Sequence, residues 1–161
     1  MAANATLRKT IREYLATGLR AKFNASTEVK QVYGFKRGKL DEGAPAIIVQ
    51  SGPIHRESRG SGGTRLYRSV MTLPIMVYVP EANAETGWTE ALVEDRVDLI
   101  EAGIAEYVAD NRGPGSNYDD PSVPWNNLVH VEQPTLIADG QRIGENTYVL
   151  EIITLLAEVD D

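Results

Sequence analysis

The chain has 161 residues, 42% hydrophobic and 24% charged, which suits one ordinary domain and excludes wholesale disorder. It has no cysteine, which excludes disulfides, thiolate nucleophiles, Cys-ligated zinc and iron–sulfur clusters. Its formal charge of -7 is a poor match to the basic footprint of a protein that reads nucleic-acid sequence.

The start of the chain, MAANATLRKTIREYL, lacks a basic segment followed by an apolar one, so no signal peptide is expected. A helix is predicted over Thr6–Leu19. Leu7, Ile11, Tyr14, Leu15 and Leu19 make one apolar stripe, with Arg8, Lys9, Arg12 and Glu13 off it. Asn4 or Thr6 is a candidate cap, and Gly18 reads as a weak point or the start of the helix end.

A strand follows over Val29–Phe35, with Tyr33 and Phe35 on a core-facing side. Lys36-Arg37-Gly38-Lys39 then turns the chain. Ala46–Gln50 reads as a buried strand because its Ile-Ile-Val run is β-branched and Pro45 and Gly52-Pro53 bracket it. Residues 55–65 read as a flexible arm around the Gly/Ser run Ser58–Thr64. The clearest strand is Arg65–Val79, where period two holds over fifteen residues. Pro74 cannot donate to a ladder, which places it at an edge or a bulge.

The second helix is predicted over Trp88–Val108, with Val93, Val97, Ile100, Ile104 and Tyr107/Val108 as its stripe. Residues 111–127 form a long Gly/Pro/Asp loop, of a length that is usually functional or mobile. Two closing strands, Leu128–Leu136 and Asn146–Val159, are expected to pair through a tight turn at Ala138-Asp139-Gly140-Gln141. The order is α-β-β-β-α-β-β. It predicts a single α+β domain over 1–161, with a mostly antiparallel sheet of about five strands and two helices packed mainly on one face. The longest apolar runs, Ala46–Val49 and Leu73–Val79, fall far short of the roughly 20 residues that span a bilayer. A soluble protein is therefore expected.

The overall charge hides an asymmetry. Residues 1–80 carry 13 Lys/Arg and 5 Asp/Glu, a formal +8, whereas residues 81–161 carry 3 and 18, a formal -15. Either the halves intermix and cover one another, or they form an oriented surface for partners.

Motifs for chemistry are sparse. His55 and His130 have no His or Cys neighbour at ligand spacing, so each reads as an ordinary surface or strand histidine. Gly60-Ser61-Gly62-Gly63 lacks the Lys-Ser/Thr pair of a phosphate loop, and Arg59 breaks the pattern of a nucleophile elbow. Glu94-Asp95-x-x-Asp98 on the second helix and Asp119-Asp120 in the loop do not match a calcium loop. No catalytic residue, metal or cofactor is expected. Lys36, Arg37 and Lys39, together with Arg56, Arg59, Arg65 and Arg68, form a basic zone in turns and strand ends suited to an acidic protein neighbour.

The element pattern resembles the tail terminator (tail completion) proteins of long-tailed bacteriophages. The carrying segments are the opening helix TLRKTIREYL, the strand ending in Val32-Tyr33, a charged turn and a Pro-Ala-Ile-Ile-Val strand. They continue with the basic Gly-rich loop leading into RLYRSVMTLPIMVYV, the acidic helix LVEDRVDLIEAGI and the closing strand YVLEIITLL. The resemblance covers nearly the whole chain as a pattern, without an invariant motif.

The resemblance implies a virion structural protein at the neck end of the tail, assembled in the host cytoplasm. It implies a homohexameric ring that caps the tail tube, stops its polymerisation and joins it to the head connector, with DNA passing through without sequence-specific binding. On that picture Arg56, Arg59, Arg65, Arg68, Lys36, Arg37 and Lys39 are candidate interface residues. Glu94, Asp95, Asp98 and Glu101 are candidates for an acidic lumen or an inter-subunit face. Glu at both Arg59 and Arg65 is expected to impair assembly, and normal tails would refute that. Another neck protein (head closure or connector) and a small-ligand-binding α+β domain are the alternatives.

Overall fold

The computed structural model describes residues 3–24, 28–41, 43–59, 66–114, 123–131, 134–143 and 146–160. The elements are α1 (Ala3–Phe23), β1 (Gln31–Tyr33), β2 (Ala46–Val49), β3 (Ile54–Arg59), β4 (Leu66–Pro80), α2 (Glu90–Asp110), β5 (Asn127–His130), β6 (Thr135–Ile143) and β7 (Asn146–Asp160). The expected α+β class holds, but the described sheet has seven strands rather than about five.

Two extra strands account for the difference. Residues 54–59, of which 55–59 were expected to belong to a flexible arm, form β3 and pair antiparallel with Leu66–Met71 of β4. The expected strand Leu128–Leu136 divides into β5 and the start of β6. Asp139-Gly140 does not make the hairpin turn. It lies within β6, where the pairing with β7 shifts register between Ile137 and Gln141. A glycine inside a strand suits such an irregularity, because it has no side chain to pack and tolerates the altered backbone.

β4 and β7 are the long central strands, and they pair antiparallel from Arg68↔Asp160 to Pro80↔Tyr148. β2 and β3 share the outer edge of β4, and β5 and β6 share the outer edge of β7. β1 adds in parallel outside β2. One continuous row of register partners runs Val32, Ile47, Val77, Glu151, Leu136 across all five strands β1-β2-β4-β7-β6.

Pro74 sits in this central β4, not at an edge, paired with Thr154. Its carbonyl accepts from the Gln50 amide at 3.0 Å, so the missing N–H points toward β2 and β3. There the chain passes between β2 and β3 through Gly52 and Pro53, and no ladder bond to β7 is lost. Gly52 permits this close passage, since a Cβ would lie 2.7 Å from the Thr72 carbonyl oxygen.

Both helices cover one face of the sheet. Alternation puts Met71, Leu73, Ile75, Val77 and Val79 of β4, with Ile153, Leu155 and Ala157 of β7, into the main core. The α2 stripe is buried as the periodicity predicts: Val93, Val97, Ile100, Ile104, Tyr107 and Val108. Thr89 caps it by accepting from the Leu92 amide at 3.1 Å. α1 runs four residues past its expected end, to Phe23, and Asn4 and Thr6 lie inside it rather than at its cap. Gly18 is not a helix breaker. A Cβ there would meet the Tyr107 hydroxyl oxygen at 2.1 Å, so the glycine lets α1 approach α2.

A smaller cluster of Leu40, Ala44, Ala46, Ile48 and Tyr148 lies on the other face of the sheet. Phe35 departs from expectation. It lies beyond the end of β1 and is 52% exposed rather than core-facing. No described helix is long and apolar enough to cross a membrane.

Candidate functional site

The sheet order answers the question left by the charge asymmetry. β1–β4 fill one side, β5–β7 the other, and the β4–β7 ladder is the seam between them. α1 packs over β1 and β2, while α2 packs over β4, β5 and β7. In the sheet the strands of the two halves therefore lie side by side, while the acidic α2 is laid across the seam between them.

On the basic flank many cations are already bound within the chain. Arg8 donates to the Gly52 carbonyl. Arg12 donates to the Gly34 carbonyl and to Ser51 Oγ, each at 2.6 Å, and Arg20 donates to the Val32 carbonyl at 2.7 Å. These arginines tie α1 to the ends of β1 and β2. Arg37 pairs with Asp41 at 2.5 Å and lies 4.7 Å from the Tyr33 ring centre and 5.5 Å from that of Phe35.

Lys36 and Lys39 are exposed beside this Tyr33–Phe35–Arg37 stack. Arg56 is exposed on β3. Arg59 closes β3 opposite Leu66, and Arg65 lies outside the described residues. Arg68 reaches across the seam to Glu158 at 2.5 Å, so it has an internal partner. The expected basic zone thus separates into a turn beside β1 and positions along the β3–β4 hairpin.

On the acidic flank a cleft of about 580 Å³ opens between the first half of α2 and β6–β7. Its acidic lining is Glu81, Glu90, Glu94, Asp98 and Glu151, over an apolar floor of Val93, Val97, Val149 and Leu136. Among the described residues, no Lys, Arg or His belongs to this lining. Glu94 and Asp98, one helical turn apart, both face the cleft, whereas Asp95 and Glu101 are not in its lining. The four expected acidic residues are therefore not one surface.

Glu151 is the residue that sequence reasoning missed. It is only 7% exposed, and its Oε1 has no hydrogen-bond partner. Burial, reinforced by the charges of Glu101 and Asp98, raises its carboxyl pKa from 4.5 to about 7. The signal was present in the closing strand. The inward positions 149, 153, 155 and 157 are apolar, and Glu151 interrupts them.

His130, read as an ordinary strand histidine, lies behind this cluster. Its Nδ1 donates to the Val131 carbonyl at 2.8 Å, and Nε2 is 3.7 Å from Glu101 Oε1. That Nε2 is buried without a hydrogen-bond partner, so its contact with Glu101 becomes an ion pair only when the ring is protonated. Among the described residues, no three Asp, Glu or His converge closely enough to hold a metal ion.

The long connection after α2 is anchored at both ends. Trp125 is 1% exposed, donates from Nε1 to the Asn111 carbonyl at 2.7 Å, and meets Tyr14 edge-on at 5.2 Å. The Asn111 side-chain amide donates to the Tyr107 carbonyl at 2.8 Å. Asp119 and Asp120 lie outside the described residues.

Compared with protein-family models and with curated proteins, the chain matches none. The class that the structure defines is an α+β fold with two helices on a mixed seven-stranded sheet.

Proposed function

We propose that the protein is a structural subunit that assembles with copies of itself into a ring, capping the tail tube of a long-tailed phage and joining it to the head connector. One observation carries this reading: the strands of the basic and acidic halves lie on opposite sides of the β4–β7 seam, with the acidic α2 laid across it. A cyclic ring requires two different surfaces per subunit, one meeting the other on its neighbour. Opposite charge on those surfaces favours that contact over contact between like flanks. The same reading assigns the protein to the virion, gives it no catalytic role, and lets DNA pass without sequence-specific binding.

Electron microscopy of particles made without the protein tests the reading. Tails of uncontrolled length support it. Heads that lose DNA while tails keep their length point instead to a head-closure protein. Normal particles overturn both.

A further inference from the structure

The two most exposed large apolar side chains of the described residues are Leu136, 56% exposed, and Phe35, 52% exposed. They lie at opposite edges of the same end of the sheet. Leu136 is the outer residue of the five-strand row on β6, and Phe35 follows β1, the outer strand at the other edge. Four strand spacings separate those edges by about 19 Å.

Each has a charged group beside it. Phe35 is followed by exposed Lys36 and stacked with Arg37. Leu136 shares the cleft with Asp98 and Glu151. The cleft therefore has an apolar floor, acidic walls and a buried carboxylate oxygen without a hydrogen-bond partner. A short segment with one aromatic ring and one adjacent cation complements it in shape and charge. The opposite edge of the same molecule presents that combination.

We propose that the segment after β1, carrying Phe35 and Lys36, docks into the cleft between α2 and β6–β7 of a second copy of this chain. Phe35 packs against Leu136, and the Lys36 ammonium faces Asp98 and Glu151. The contact uses different surfaces on the two partners, so a bound pair leaves one free cleft and one free β1 edge. Repetition of such a contact closes a ring when the rotation per copy divides a full turn. The inference rests on the self-assembly part of the proposed function and specifies the contact.

The absence of cysteine permits a direct test. Lys36→Cys and Asp98→Cys are made as separate chains with different mass tags, mixed and oxidised. The expected product is a disulfide-linked heterodimer in at least tenfold excess over either homodimer. A chain with both substitutions yields a ladder of covalent multimers. In otherwise native chains, Asp98→Lys lowers self-association at least tenfold, and Lys36→Asp in the same chain restores it.

Heterodimer no more abundant than the homodimers overturns the contact. If the native chain still assembles, the ring reading survives through another surface. If the native chain does not assemble and the Cys variants do not cross-link at any concentration, the contact falls. If the cross-link forms but particles lacking the protein have normal tails, the contact stands and the tail role falls.

Discussion

Val77 and Glu151 face each other across the β4–β7 ladder, on the side of the sheet covered by the helices. Val77 is 1% exposed and Glu151 7% exposed. A carboxyl group thus occupies an inward position at the seam of the two halves, at the inner wall of the acidic cleft. Among the described residues that line the cleft no cation meets it, so burial disfavours its charged form.

The stability of the isolated chain should therefore fall as pH rises. The Glu151 carboxyl titrates near 7 when folded and near its ordinary 4.5 when unfolded. Between those values the folded state binds more protons, so stability declines across that window and then levels off. The groups around it act on the same site: Asp98 and Glu101 from α2, with His130 beside Glu101. The loss attributable to Glu151 is at most ~3 kcal/mol. Denaturant unfolding of Glu151→Gln should lack that component, giving a flatter profile and a more stable protein at pH 8. An unchanged slope would refute the assignment.

Gly18→Ala should destabilise the protein despite the higher helix propensity of alanine. The new methyl would overlap the Tyr107 hydroxyl oxygen and ring carbons, at 2.1–2.8 Å. Helix propensity favours alanine by about 1 kcal/mol, and overpacking costs about 1–3 kcal/mol, more where two helices must part. A lower melting temperature is expected, and a higher one would show that Tyr107 swings away freely.

Trp125→Ala should cost about 3–5 kcal/mol, because it empties a buried aromatic site against Tyr14. Trp125→Phe restores part of the volume but leaves the Asn111 carbonyl without its indole donor. Its expected cost is about 1–3 kcal/mol. Chemical denaturation of the pair separates packing from the hydrogen bond.

Arg68 and Arg56 should behave differently from each other. Arg68 and Glu158 form a pair about one-third exposed, so Arg68→Ala should change stability by no more than about 1 kcal/mol. It should also leave self-association near the native level, because its charge is already matched. Exposed Arg56→Glu should leave stability within about 0.5 kcal/mol. It should weaken association by reducing the charge of the basic flank. Sedimentation and unfolding of the same samples check both statements.

Self-association itself should be salt-sensitive. At about 1 M salt the Debye length falls to about 3 Å, and attraction between exposed flanks is largely screened. The apolar contact between Phe35 and Leu136 is not screened, so Leu136→Asp should weaken association at both low and high salt. An assembly indifferent to salt would refute the role of charged flanks.

Much of the secondary structure was legible because it rests on local periodicity. The stripe of α2 and the fifteen-residue alternation of β4 record which face is buried, and both faces are buried as read. The edge strands were harder. β3 has the polar sequence IHRESR, and its strand conformation comes from the ladder with β4 rather than from an apolar pattern. Asp139-Gly140 looked like a turn because that pair favours tight turns, but the register with β7 keeps it inside β6. Of the candidate site, Glu94 and Asp98 were identified from sequence, while Glu151 and the opposing exposures of Phe35 and Leu136 were not.

The sequence by itself determined the α+β class, the two amphipathic helices, the lack of cysteine chemistry and the +8 and -15 halves. These are sums or short-range patterns, and they do not depend on which strands pair. Only the tertiary structure decided that the halves lie side by side. The β4–β7 ladder joins residues about 80 positions apart in the chain, and no local preference specifies that pairing. It turns a division along the sequence into two flanks in space. It also carries Glu151 into the wall of a cleft whose other acidic residues come from the end of β4 and from α2.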